Sequence, residues 1–92
     1  MRVVDRVGAV LIWGEAQHNR LGIAAREVGL PLLGSLDAYD DVSFNAHQAV
    51  LVESELGALA DSPDLRDALA DVRVGLALVL AGPGRVLEFL GD

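Results

Sequence analysis

Residues 62 to 90 read Ser62-Pro63-Asp64-Leu65-Arg66-Asp67-Ala68-Leu69-Ala70-Asp71-Val72-Arg73-Val74-Gly75-Leu76-Ala77-Leu78-Val79-Leu80-Ala81-Gly82-Pro83-Gly84-Arg85-Val86-Leu87-Glu88-Phe89-Leu90. Ser62 stands as the helix cap, Pro63 suits the first helical position and Asp64 falls in the first turn, which together mark a helix start. Leu65, Leu69, Val72, Leu76, Val79 and Leu80 then recur at helical spacing. Gly82-Pro83-Gly84 ends that pattern, and Arg85 to Leu90 reads as a strand whose Leu87 and Phe89 share one face. A long amphipathic helix feeding directly into a strand requires a sheet for the helix to cover.

Reading back from residue 62, Val52, Leu56 and Leu59, backed by Ala49 and Ala60, form the apolar stripe of a preceding helix that ends at Asp61-Ser62-Pro63. That helix is placed with its start near Ser43 to Asn45. Asn45 and Gln48 have capping-box spacing, and Asp40 and Asp41 suit the positive end of the helix dipole. Leu30 to Leu36, broken by Pro31 and Gly34, reads as an extended segment or edge strand. Before it, Leu21, Ala24, Ala25 and Val28 give an amphipathic helix beginning at Glu15 and stopped by Gly29 and Pro31.

At the amino end, Asp5 and Gly8 fit the first and last positions of a turn, so Val3-Val4 and Ala9 to Trp13 form a hairpin or, alternatively, one strand with a bulge near Gly8. Trp13 is expected in the core. The fold expected is α+β in one domain, residues 1–92. A small, mostly antiparallel sheet of two to four strands, with the first and last strands paired, is covered on one face by two or three helices.

Composition narrows the function classes. The chain has 92 residues, 52% of them hydrophobic, and only four aromatics, so Leu, Val and Ala must fill the core. The apolar share leaves surface that favours self-association, and a homodimer is as consistent with it as a monomer. There is no cysteine, which excludes disulfides and thiolate metal sites. Val74 to Ala81, the longest apolar run, is far short of the roughly 20 residues that span a bilayer. Asp5 and the brevity of Ala9 to Trp13 argue against a signal peptide, so a cytoplasmic protein with no membrane partner is expected.

The seven basic residues are all arginine, as in high-GC coding, and none lies between Arg26 and Arg66. That interval holds Glu27, Asp37, Asp40, Asp41, Glu53, Glu55, Asp61 and Asp64, so the net charge of −7 is concentrated in the middle of the chain. Phosphate backbones would be repelled there, which excludes nucleic acid as the expected partner.

The run Leu36-Asp37-Ala38-Tyr39-Asp40-Asp41-Val42-Ser43-Phe44-Asn45-Ala46-His47-Gln48, then Glu55-Leu56, then Leu87-Glu88-Phe89-Leu90-Gly91-Asp92, resembles a group of short uncharacterised proteins from high-GC actinobacteria. Those share an Asp-x-Tyr-x-Asp-Thr-x-Phe-Asn-x-x-Gln pattern, a Glu-Leu pair and a Phe-x-Gly-Asp carboxyl end. The resemblance covers residues 36–56 and 86–92, and Val42 departs from its threonine. It implies no activity.

Catalytic and metal readings are weak. Asp37, Asp40, Asp41 and Asn45 offer oxygen ligands but match no calcium loop. His18 and His47 lie on different helices without a partner at i+4, and Ser35, Ser43, Ser54 and Ser62 lie in no nucleophile elbow. We therefore expect no enzyme, no cofactor and no metal. The expected function is that of a small acidic protein-binding module, an immunity or antitoxin-like partner of a basic protein, with Asp37, Tyr39 and Asp40 on the contact surface; a self-assembling structural or accessory subunit is the alternative. Asp41 and Asn45 are assigned to the helix end and Phe44 to the core.

Overall fold

The structure, a computed structural model, describes residues 1–14, 18–37 and 39–91, and opens with a hairpin. Strand β1 (Arg2–Val4) turns back into β2 (Val10–Trp13) through Asp5. Its carboxylate accepts from the amides of Val7 at 3.0 Å and Ala9 at 2.9 Å, and the Gly8 amide donates to the Asp5 carbonyl at 3.0 Å. Those amides have no strand partner, and a turn aspartate is suited to satisfy them. The hairpin also carries an irregularity, the register slipping between Val3↔Ile12 and Val4↔Val10.

Helix α1 (His18–Glu27) buries Leu21 and Ala25 and packs on the segment after it. Gly22 lies against the Leu36 carbonyl so closely that a Cβ has no room. The expected start at Glu15 lies outside the described residues. Val28, expected on the buried stripe, follows the helix and is exposed.

Leu30 to Leu36 is not a strand. It forms turns and a 3-10 helix, Leu33–Ser35, because its polar groups find partners other than a neighbouring strand. The amides of Leu32 and Leu33 donate to the two carboxylate oxygens of Glu55 at 3.1 and 2.8 Å. The Arg26 guanidinium donates to the carbonyls of Gly34 at 3.0 Å and Leu36 at 2.9 Å. With its backbone held from both sides, the segment can bury Leu33 and Leu36.

Next come β3 (Val42–Phe44), α2 (Ala46–Ala58), a 3-10 turn at Pro63–Leu65, α3 (Arg66–Ala81) and β4 (Val86–Phe89). The sheet order is β2-β1-β4-β3, antiparallel at every step, so β1 and β4 form its centre and β2 and β3 its edges. The row Ile12, Val3, Leu87, Phe44 faces the helices, and Phe44 meets Phe89 edge to face at 6.0 Å between ring centroids. Val52, Leu56 and Leu59 of the α2 region and Leu69, Val72, Leu76 and Val79 of α3 complete this core. The α+β expectation therefore holds, and no helix is long and apolar enough to cross a membrane.

Further placements differ from the sequence reading. Val42 to Phe44 is a strand that the sequence reading did not include, since Phe44 must reach the core beside Leu87, while the helix after it starts behind the expected Asn45 cap. Ser62 precedes the 3-10 turn and makes no side-chain capping bond, and α3 begins at Arg66 with Leu65 before it. Leu80, on the solvent side of α3, and Ala60, in the turn after α2, are exposed. Trp13 is 59% exposed because it pairs with Arg2, on the face opposite Ile12 and Val3.

Since β4 hydrogen-bonds on both sides, deleting residues 85–92 should abolish the cooperative thermal transition. The single change Leu87→Ala should cost about 2–5 kcal/mol in chemical denaturation. Ser62→Ala, with no capping bond to lose, should move the same midpoint by less than about 0.5 kcal/mol.

Candidate partner-binding surface

The acidic loop runs from Leu36 to Asp41, between the 3-10 helix and β3 at one edge of the sheet, and Asn45 follows that strand. Several of its polar side chains are committed to holding it. Asp37 accepts from the Tyr39 amide at 2.8 Å, a local turn of the kind aspartate favours. Asp41 accepts from the Gly91 amide at 2.8 Å, tying the loop to the segment after β4. Gly91 packs onto the backbone of Tyr39 and Asp40 where no Cβ could fit, so glycine is required by close approach. Asn45 and Gln48 exchange reciprocal bonds of 3.0 Å each, completing the capping box of α2.

The expected assignment of Asp41 to the helix end is therefore corrected: its carboxylate reaches the distant Gly91 and leaves the cap to Asn45. Arg26 and Gly91 hold the two ends of the loop and Glu55 holds the 3-10 segment that leads into it, roles the sequence reading did not find. The Glu55-Leu56 pair carried a hint only as part of a pattern. The contacts of Glu55 and Arg26 span 22 and 10 residues, beyond the reach of helical or turn periodicity.

What remains uncommitted is small. Tyr39 is 76% exposed and Asp40 is exposed, and among the described residues neither side chain has a hydrogen-bond or ionic partner. Asp37 is half-buried, its carboxylate already engaged in its turn. Ala38, between them, lies outside the described residues. The loop thus presents a phenol and a carboxylate from a backbone fixed at Asp37, at Asp41–Gly91 and at Asn45.

The wider field is acidic. The ion pair among the described residues is Arg2–Glu88, at 2.8 Å on the open face of the sheet, so the acids of the middle third lack arginine partners there. Glu27, Glu53, Asp61 and Asp64 are exposed. No group of three or more His, Asp or Glu among the described residues is arranged to hold a metal ion. His47 is exposed on α2, and the side chain of His18 lies outside the described residues. The hollow beside the loop, about 240 Å³ between Arg2, Asp41, Ser43 and Glu88, lies open on the sheet surface.

Removing the Asp41 carboxylate as Asp41→Ala should cost about 1 kcal/mol. It should also strip the Gly91 amide of its protection from hydrogen exchange, while the amides of β4 stay protected. Unchanged exchange at Gly91 would show that the loop does not depend on this tether.

No family model matches the chain, and neither the curated proteins nor the solved structures include one found similar to it.

Proposed function

We propose that the chain is a small acidic protein-binding module that presents Tyr39, Asp40 and Asp37 to a basic protein, in the manner of an immunity or antitoxin-like partner. The observation that carries this reading is the exposed, unpartnered Tyr39–Asp40 pair on a loop whose other polar groups are spent on fixing it. A pre-ordered loop loses little entropy on binding. Tyrosine supplies broad apolar area with a polar tip, and the Asp40 carboxylate, without an internal partner among the described residues, steers a cationic surface toward it with the charge of Asp37 beside it. Uncompensated like charge works against compactness, and since Asp37, Asp41 and Glu55 bond within the fold, it is the remaining acids between Arg26 and Arg66 that are better understood as serving contact. The same field disfavours nucleic acid and anionic membrane surfaces.

The reading includes no catalysis, cofactor or metal, and a cytoplasmic location. A homodimer is a second element of the proposal, favoured by Val10, Leu11 and Trp13 standing half-exposed on one strand.

The test is a pull-down from native lysate, identification of what high salt elutes, and titration of that protein against Asp37→Asn/Asp40→Asn. The asparagines keep the Asp37 turn and remove two charges. Affinity at low salt should fall at least about tenfold and depend less on salt concentration. Equal binding by the double variant would leave the loop a solvated turn and remove the main support for the reading.

A further inference from the structure

Among the described residues, strand β2 is paired on one side only. Gly14 donates to the Met1 carbonyl at 2.9 Å, so by the alternation of an antiparallel ladder the amide and carbonyl of Trp13 point off the free edge. Edge strands are normally protected from pairing by charge, proline or brevity. The opposite edge, β3, is three residues long and follows Asp40 and Asp41. The stretch Ala9-Val10-Leu11-Ile12-Trp13-Gly14 has no charge and no proline, and exposes Val10 by 50%, Leu11 by 41% and Trp13 by 59%.

From this edge we infer the contact of the homodimer proposed above, on which the inference rests: β2 pairs with β2 of a second copy, antiparallel across a two-fold axis, joining two four-stranded sheets into one of eight. Electrostatics selects this occupant and this edge. A chain of net charge −7 can meet its copy only where the acids stay apart. The acidic loop adjoins the far edge β3, and in the joined sheet the two copies of β3 stand seven strand spacings, about 33 Å, from each other. That exceeds the Debye length of about 8 Å at physiological salt. The competing apolar pair, Val50 and Leu51 on α2, adjoins exposed Glu53, so joining copies there would set acid against acid. Beside β2 the open face carries the neutral Arg2–Glu88 pair.

Val10, Leu11 and Trp13 expose on the order of 300 Å² per copy, so with the edge backbone the joined area stays at or below about 1,200 Å², the range of weak, concentration-dependent dimers.

Analytical ultracentrifugation of the full chain from about 1 to 500 μM should show mass rising from 9.7 kDa toward twice that value. Trp13 is the one tryptophan, so its emission should shift to the blue in step with the mass. Leu11→Lys should weaken association at least about tenfold, whereas Leu51→Lys should not, with circular dichroism confirming that both variants are folded. A monomer at every concentration would overturn both the dimer and this contact. A dimer that forms without a change in tryptophan emission, or that Leu51→Lys breaks and Leu11→Lys spares, would keep the dimer and overturn the β2 edge. Should Leu11→Lys unfold, the emission of the unaltered chain decides alone.

Discussion

The pairing of β1 with β4 joins the two ends of the chain at the centre of the sheet, and the other elements are placed by it. Val3 opposite Leu87 makes an apolar row that α3 covers, and α3 is bound to lie there because it leads through a short Gly-Pro-Gly turn into β4. Arg85 secures that turn by donating to the Leu78 carbonyl at 2.8 Å, one of the last carbonyls of the helix. Once β4 is fixed, its free side accepts β3, and Phe44 arrives beside Leu87 and Phe89.

Much of this was legible in local signals. The apolar spacing of residues 65–79, the Gly-Pro-Gly break and the two-residue alternation of Leu87 and Phe89 are short-range patterns, and they placed the end of α3 and both ends of β4 within a residue, while α3 starts three residues after the expected Pro63. The Asn45–Gln48 capping box was equally local and is present. What escaped were features decided at a distance. Strand β3 is only Val42–Phe44, too short to show alternation, and exists because β4 offers it an edge. The 3-10 helix at Leu33–Ser35 exists because Glu55 and Arg26 supply partners from two other elements. Trp13 reads as core by residue type, yet the irregular register of β2 assigns the inner position to Ile12.

The acidic loop shows the same division. Its residue types announced a turn and a cap, and Asp37 and Asn45 fill those roles. No local rule could join Asp41 to Gly91, 50 residues away, or explain why residue 91 is glycine. Among the described residues of the loop, Tyr39 and Asp40 are therefore the aromatic and charged side chains left without a bonding partner.

The charge distribution and the two sheet edges belong to one argument. An antiparallel sheet with helices on one face leaves two edges and one open face exposed to pairing, and this chain protects them unequally. At β3, carboxylates and the entry to α2 make strand addition unfavourable while leaving side-chain contact with a cationic surface open. At β2, uncharged backbone and half-exposed apolar side chains favour strand addition by a partner that is itself uncharged there. The two surfaces stand three strand spacings apart, about 14 Å, so occupation of one leaves the other sterically and electrostatically free. A copy joined at β2 would thus present two acidic loops at opposite ends of a single sheet, spaced to engage two basic surfaces at once. Affinity for a partner carrying two such surfaces would then grow by effective concentration with no additional contact at either loop.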